Sequence, residues 1–283
     1  MSCDLHVHTN ASDGLLAPEK VIHLAKEIGL EAVAITDHDT TAAIGRAAST
    51  GKVAGVEVVP GIEISTEWQE EEIHILGYYL DYGLAWLQER LAKRREGRMR
   101  RAQTIVGRLR DLGLEIDWDR VLALAGGAAV GRPHIAMAMM EKDYVGSIEE
   151  AFRRYLDRGA PAYVPRTPLT PQQAVALVRA AGGVPVLAHP GLIRKRALVQ
   201  ELLATGVIGL EVFYPEHDEA TVAWLLGLVS ERGLIATGGS DFHGYEAQGY
   251  APLGACRVPS ETLALLRSAA RALTPWQGRS AQV

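Results

Sequence analysis

Histidine and carboxylate positions carry the strongest chemical signal in this chain. His6 and His8 stand two residues apart and Asp13 follows them; His38 lies between Asp37 and Asp39. Glu63, His74 and His189 occur singly, and Asp241 and His243 again stand two apart. On an extended strand a spacing of two points both side chains to one face, as a pair of metal ligands requires. A lone histidine on an apolar strand is more often a hydrogen-bonded core residue than a ligand. Six imidazoles and three carboxylates gathered in one place, however, would be a costly buried polar cluster unless cations held it. Nine candidate ligands exceed what one ion takes, so the set points to two or three divalent ions with Glu63 bridging. Imidazole and carboxylate without thiolate suit manganese, the leading choice, or iron or zinc, rather than calcium.

The elements that must position these residues read as short apolar strands alternating with helices. A first strand over 3–8 puts Leu5 and Val7 on one face and the histidines on the other. Pro18 opens a helix whose Val21, Ile22, Leu24, Ala25 and Ile28 form an apolar stripe, and Gly29 closes it. Strands follow over 32–36, 56–65, 73–79, 184–188, 207–213 and 234–238, with helices such as 171–181 and 220–232 before the later ones. Continuously apolar strands separated by helices indicate a parallel sheet covered on both faces. About seven of them at this spacing predict an α/β fold, a closed or distorted barrel. Each candidate ligand falls at or near the C-terminal end of its strand, where barrels assemble active sites, except His6 within the first strand and His74 early in the fourth.

The stretch 83–164 breaks the alternation. Leu84, Leu87, Leu91, Arg98, Ala102, Ile105, Leu109 and Leu112 mark one face of a long helix, and further helical text follows around 118–125, 135–141 and 148–156. This predicts an inserted all-helical subdomain covering the active site, with 1–82 and 165–283 forming the metal-binding barrel. A last helix over 261–273 precedes a polar end expected to be loose.

Composition bounds the rest. In 283 residues, 29 Lys and Arg against 34 Asp and Glu leave a net charge of −5, with 48% apolar residues. That is ordinary globular composition. No apolar run is long enough to span a membrane, and Asp4 and His6 leave no room for a signal sequence, so a cytoplasmic protein is expected. Two cysteines, Cys3 and Cys256, make neither a disulfide framework nor a thiolate zinc site. The acidic balance argues against general nucleic-acid binding and offers nothing for DNA-sequence recognition.

The motifs Asp4-Leu5-His6-Val7-His8-Thr9 with Ser12-Asp13-Gly14, Ile35-Thr36-Asp37-His38-Asp39-Thr40, Pro60-Gly61-Ile62-Glu63-Ile64-Ser65, Ile73-His74-Ile75-Leu76-Gly77-Tyr78 and Ser240-Asp241-Phe242-His243 resemble the PHP (polymerase and histidinol phosphatase) family of metal-dependent phosphoesterases. The resemblance spans all but the helical stretch. That stretch in turn resembles the insertion of the branch containing nucleoside 3′,5′-bisphosphate phosphatases and 5′-to-3′ exoribonucleases. The resemblance implies a distorted (β/α)₇ barrel holding three ions. His6, His8, Glu63 and Asp241 would hold the first, Glu63, His74 and His189 the second, and Asp13, His38 and His243 the third. No ligand position is empty, which disfavours a degenerate, metal-free member.

The implied activity is hydrolysis of the 3′-phosphate of a small nucleotide, with exonucleolysis of short RNA at the same ions. Histidinol-phosphate phosphatase is the alternative within enzymes, and a metal-stabilised RNA-binding protein is the alternative outside them. For phosphate, Arg132 and His134 could reach over the mouth, as the resembling branch uses such a motif; the plainer reading is a helix start at Pro133. His217 could bind phosphate or act as general acid, or be a surface histidine. Arg194, in Arg194-Lys195-Arg196, is placed for a distal phosphate. The basic run 93–101 is either a solvated helix face or a path for a polynucleotide backbone. Tyr78 and Tyr214 could stack a base or pack in the core. Asp37 or Asp39 could orient an imidazole, though capping the next helix explains Asp39 more simply.

Overall fold

The computed structural model describes residues 2–126, 130–165, 169–244 and 250–273; the polar tail over 274–283 lies outside them. Strand β1 (Ser2–Val7) runs parallel to β2 (Ala32–Ile35), and β2 runs parallel to β3 (Glu57–Trp68). These crossovers are made by α1 (Pro18–Glu27) and α2 (Ile44–Ala54). Val21, Ile22 and Ala25 of the first and Ile44 and Ala47 of the second are buried with Val33 and Ile35 of the sheet. Burying such a side chain contributes about 1.5–3 kcal/mol, which outweighs the modest intrinsic preference of these short helices.

The next connection departs from the expected all-parallel sheet. Gln69 and Glu70, at φ 47 and 69, form a tight turn that returns the chain as β4 (Glu71–Tyr78), antiparallel to β3. Two successive left-handed residues give a turn whose twist matches a hairpin. Strand β4 is also antiparallel to β5 (Val184–Leu187), after which β6 (Gly209–Phe213) and β7 (Ile235–Gly238) resume the parallel direction. The reversal explains why His74 lies early in its strand. The N-terminal half of a reversed strand sits at the same end of the sheet as the C-termini of its neighbours, and His74 pairs with Ser65 near the end of β3.

An eighth strand, β8 (Val258–Pro259), pairs antiparallel with β1 and has no counterpart in the seven expected. Its two residues are too short to show a period. The sheet order is β7-β6-β5-β4-β3-β2-β1-β8. Past the end of β7 the His8 amide donates to the Phe242 carbonyl at 2.9 Å, and Val7 bridges to Phe242, so the sheet is a nearly closed barrel. Gly239 permits this approach: a Cβ there would lie 2.3 Å from the His6 nitrogen. Inside, Leu5, Ala34, Val59, Leu76, Tyr78 and Val186 fill the end opposite the histidines. Tyr78 donates its hydroxyl to the Leu5 carbonyl at 2.9 Å, so it packs in the barrel and has no face free for a base.

Between β4 and α7 the regular elements among the described residues are all helical: α3 (Ala85–Asp111), α4 (Trp118–Ala125), α5 (Arg132–Glu141), α6 (Ile148–Ala151) and a wide turn over Phe152–Leu156. They enclose an apolar cluster of their own, including Ile105, Leu109, Val121, Ile135, Met139 and Leu156. The outer face of the barrel is completed by α7 (Pro171–Ala180), α8 (Arg196–Leu203) and α9 (Glu219–Arg232), and α10 (Glu261–Ala272) closes the described chain. No helix among the described residues is long and apolar enough to cross a membrane.

Candidate metal centre

Glu63 occupies the middle of the histidine cluster and is 1% exposed. Its Oε2 lies 3.3 Å from His6 Nε2, 3.2 Å from His8 Nε2 and 3.0 Å from His38 Nδ1. Its Oε1 lies 2.7 Å from His74 Nδ1 and 3.2 Å from His189 Nε2. Asp241 places Oδ1 3.3 Å from His6 Nε2 and 3.1 Å from His8 Nε2. Asp13 faces His8 Nδ1 at 3.6 Å, His243 Nε2 at 3.5 Å and His38 Nε2 at 3.8 Å.

Proximity here is not pairing. His6 Nε2, His8 Nε2, His74 Nδ1, Asp13 Oδ1 and Asp241 Oδ1 are buried and make no hydrogen bond. Lone buried polar atoms each cost roughly 1–3 kcal/mol, and these converge on common points. Three groups bring ligand atoms within 4.8 Å of one another: His6, His8, Glu63 and Asp241; His8, Asp13, His38 and His243; and His38, Glu63 and His74. Divalent cations fit such donor sets, since they would satisfy the orphaned atoms and neutralise the carboxylates. The first group matches the set expected from the sequence. In the third, His38 stands with Glu63 and His74 where His189 was expected; His189 faces the same Glu63 Oε1 as His74, at 3.2 Å. His8 adds to Asp13, His38 and His243.

The electrostatics follow from burial opposed by partners. Burial alone would raise the Glu63 carboxyl, yet His38, His74 and His6 hold it well below the usual range. Asp13 and Asp241 are likewise held down by facing imidazoles against the effect of burial. Burial lowers His8 and His74, but carboxylate partners reverse this and lift them to about 10 and about 9. His38 goes the other way: burial dominates and Arg98 adds to it. Without cations, burial and the facing carboxylates thus pull the imidazoles of the cluster in opposite directions.

Five further carboxylates support the cluster, and of these only Asp37 and Asp39 are marked in the sequence by their place beside His38. Glu211, fully buried in β6, accepts from His6 Nδ1 at 2.9 Å and from the His189 amide at 2.8 Å. The first contact leaves His6 Nε2 to face Glu63 and Asp241, and the second secures His189 at a strained φ of 29. Its only local signal is a carboxylate in an otherwise apolar strand. Buried Asp4 accepts from Ser240 and from the Gly254 amide, tying β1 to the loop that carries Asp241. Asp37 accepts from the Thr9 amide and hydroxyl and from the Ser12 hydroxyl, bracing the His8–Asp13 loop. Asp39 does not cap α2, which begins at Ile44 after Ala43; it is buried at φ 53, with Arg94 Nε at 2.7 Å and Arg98 Nε at 2.9 Å. Glu72, two residues before His74 on β4, lies 3.1 Å from His74 Nε2.

A cleft of about 170 Å³ opens onto this cluster. Asp13, His38, His74, Asp241 and His243 line one side, and Arg98, Arg101 and Arg132 stand among its other lining residues with Phe152 and Tyr250. Arg132 lines the cleft and rests on Glu72 at 2.8 Å, with its guanidinium over the Phe152 ring. His134 is placed otherwise: it is buried and its Nδ1 accepts the Gly131 amide at 3.0 Å, the cap of α5.

His217 also departs from expectation. Its Nδ1 donates to the Val212 carbonyl at 2.9 Å and its Nε2 accepts the Gly191 amide at 3.1 Å. With both ring nitrogens engaged by backbone and burial lowering its pKa, it fastens two loops rather than offering a proton. Arg194 lines a neighbouring cavity with Arg132, Arg158 and Glu67. The basic run is not simply a solvated face, since Arg94 and Arg98 turn inward onto Asp39 and Ser65. Tyr214 donates to Asp241 Oδ2 at 3.1 Å and so braces a carboxylate of the cluster.

Comparison with known proteins gives a consistent picture. The PHP domain family matches residues 4–166. The chain is 38% identical over 247 residues to the 5′-3′ exoribonuclease Rnm of Salmonella typhimurium, covering 85% of this chain and 84% of that protein. It is 32% identical over 246 residues to a 3′,5′-nucleoside bisphosphate phosphatase of Chromobacterium violaceum, covering 85% and 86%. It is 33% identical over 261 residues to a phosphoribosyl 1,2-cyclic phosphate 1,2-diphosphodiesterase of Eggerthella lenta, covering 91% and 99%. A solved structure of an inferred metal-dependent phosphoesterase from Bifidobacterium adolescentis superposes with a TM-score of 0.87 at 31% identity, over 94% of this chain and 96% of that one.

Proposed function

This chain belongs to the PHP domain family and is a metal-dependent phosphoesterase, and from that premise we propose that it removes the 3′-phosphate of a nucleoside 3′,5′-bisphosphate to give the nucleoside 5′-monophosphate and phosphate. The observation that carries this reading is the cleft itself, where five of the candidate ligands, Asp13, His38, His74, Asp241 and His243, stand with Arg98, Arg101 and Arg132. Similarity to a bisphosphate phosphatase supports the choice of a nucleotide. We read 83–164 as an insertion whose Arg98, Arg101 and Arg132 cover the mouth, and manganese as the cation.

His6, His8, Asp13, His38, Glu63, His74, His189, Asp241 and His243 would hold the cations. Bound there, divalent cations lower the pKa of water toward neutrality and offset the charge of phosphoryl oxygens. The chain's own contribution is positioning. Arg98, Arg101 and Arg132 hold the phosphate oxygens across the cleft, where guanidinium geometry matches a phosphate face. Glu211, Asp4 and Asp37 keep the ligand loops in place, so that the groups that would meet the phosphate are fixed before it arrives. His217 is not the source of the leaving-group proton in this reading, because backbone groups occupy its ring.

The 38% identity to an exoribonuclease favours a second reading at the same site, release of nucleotides from the 5′ end of short RNA. The deciding measurement compares phosphate release by manganese-loaded protein from adenosine 3′,5′-bisphosphate and histidinol phosphate with ring opening of a 1,2-cyclic ribose phosphate to its monoester, beside shortening of a 5′-phosphorylated oligoribonucleotide. Fastest release from the bisphosphate is expected. Preference for histidinol phosphate or the cyclic ester would overturn the nucleotide assignment, and RNA bound but never shortened would overturn hydrolysis.

A further inference from the structure

Two histidines of the cluster are held from outside the barrel, and both contacts come from the helical stretch. On α3, Arg94 and Arg98 reach the buried Asp39 at 2.7 and 2.9 Å, beside His38 in sequence. Arg94 Nη2 also donates to the Ser65 carbonyl at 2.5 Å, and Arg98 Nη2 to the Ser65 hydroxyl at 2.8 Å. That hydroxyl in turn lies 3.4 Å from His38 Nδ1. On α5, Arg132 donates to Glu72 at 2.8 Å, and Glu72 lies 3.1 Å from His74 Nε2, on the side of the ring away from Glu63. His38 and His74 share one ligand group with Glu63. His6, by contrast, is held within the barrel by Glu211.

We propose that the helical stretch positions the His38–Glu63–His74 cation site through two arginine–carboxylate contacts, Arg94 and Arg98 on Asp39 and Arg132 on Glu72, while His6, His8 and Asp241, which share only Glu63 with that site, are braced from within the barrel. The physical reason is orientation. Asp39 sits at φ 53, a backbone state unfavourable for a residue other than glycine. Two guanidinium partners hold it there, and His38 is the preceding residue. An imidazole ligand also needs its far nitrogen fixed, and Glu72 does this for His74 only while Arg132 keeps the carboxylate in place. These arginines are positioning residues toward the cation, whatever further contact Arg98 and Arg132 make with phosphate.

The proposal rests on the reading that cations occupy the ligand groups, and its test uses no substrate. Metal-free full-length protein is titrated with manganese by calorimetry, with bound manganese counted and its electron paramagnetic resonance signal recorded. His74 belongs to one group alone, so Arg132→Met is expected to weaken one equivalent about 10–100-fold and leave at least one unchanged. Arg132→Lys, which keeps a charge on Glu72, is expected to recover part of the loss. Arg94→Met with Arg98→Met acts on His38, shared by two groups, and should weaken the same equivalent and a neighbouring one; Asp39→Asn should reproduce it. If that double variant proves unfolded by circular dichroism, Arg132→Met and Arg132→Lys decide the matter. Binding unchanged in the variants, or weakened alike at every equivalent, would overturn the proposal while leaving the metal reading intact. A wild-type protein that binds no manganese would overturn both.

Discussion

The two flanks of the histidine cluster are built on different principles. On the β1–β6–β7 flank, His6 is fixed by Glu211, a carboxylate wholly inside the barrel, and Asp241 by the Tyr214 hydroxyl. Every support there is part of the sheet or of the loops it carries. On the β2–β3–β4 flank, Asp39 and Glu72, beside His38 and His74, are met by arginines from a separate helical layer with its own apolar cluster. One flank is assembled when the barrel closes. The other is complete only when two packing units meet, so disturbing the helical layer should act on one flank before the other.

The largest effect should come from removing a ligand. Asp241→Ala removes a candidate ligand of one group and His8→Ala one shared by two, and phosphoester turnover should fall on the order of 10³-fold, as expected when several kcal/mol of charge stabilisation is lost. Elemental analysis should show fewer bound ions; full metal content with full activity would dismiss these residues as ligands. Next in size is Glu211→Ala. Losing the brace on His6 should weaken manganese at the barrel-held flank about 10–100-fold, while Glu211→Gln, still able to accept from His6 Nδ1, should lose less. Equal losses at both flanks would break the distinction drawn between them.

Leu109→Ala, in the core of the helical layer, should cost about 2–5 kcal/mol of stability in denaturant unfolding. Below the unfolding transition it should spare the binding equivalent of His6, His8 and Asp241.

The pH dependence of the metal-free protein sharpens the comparison further. His8 and His74, at about 10 and about 9 when folded, contribute stability that is full below the unfolded value near 6.5 and is lost as pH rises through the folded values. The lowered carboxyls of Asp13, Glu63 and Asp241 contribute stability present above about pH 4–5 and lost as pH falls toward their folded values. The melting temperature of the metal-free protein should therefore decline from pH 7 to pH 10. With manganese bound, whose ligation needs deprotonated imidazole, it should not. A parallel decline in both forms would argue that these imidazoles are not ligands.

The smallest effect is expected for His217→Gln. A general acid would be worth about 10²–10⁴-fold in turnover, whereas a loop fastener costs stability and leaves chemistry within about threefold. A large, pH-dependent loss would restore the catalytic role that spacing alone suggested.

How much of this was legible beforehand divides along physical lines. All nine candidate ligands could be named from the chain, because only imidazole and carboxylate suit such ions and because period-two spacing and strand ends are local features. The long helix, the helical character of the stretch after it and the bounds of most strands were legible for the same reason. Other features depended on direction and distance. Nothing local in Glu71–Tyr78 shows that it runs against its neighbours, yet that reversal is what brings His74 to the mouth. The partners of His217 and His134 are backbone amides and carbonyls, which leave no mark on residue type.

Which atoms could bind a cation, the α/β alternation and the resemblance to a phosphoesterase family all follow from side-chain chemistry and short-range periodicity along the chain. Tertiary structure alone decided which ligands share a group, that Glu211 braces His6 across 205 residues of chain, and that arginines of a helical layer hold Asp39 and Glu72. Those pairings arise where the barrel closes and the helices pack against it, and contacts between distant segments are set by the packing of the whole molecule rather than by any local pattern.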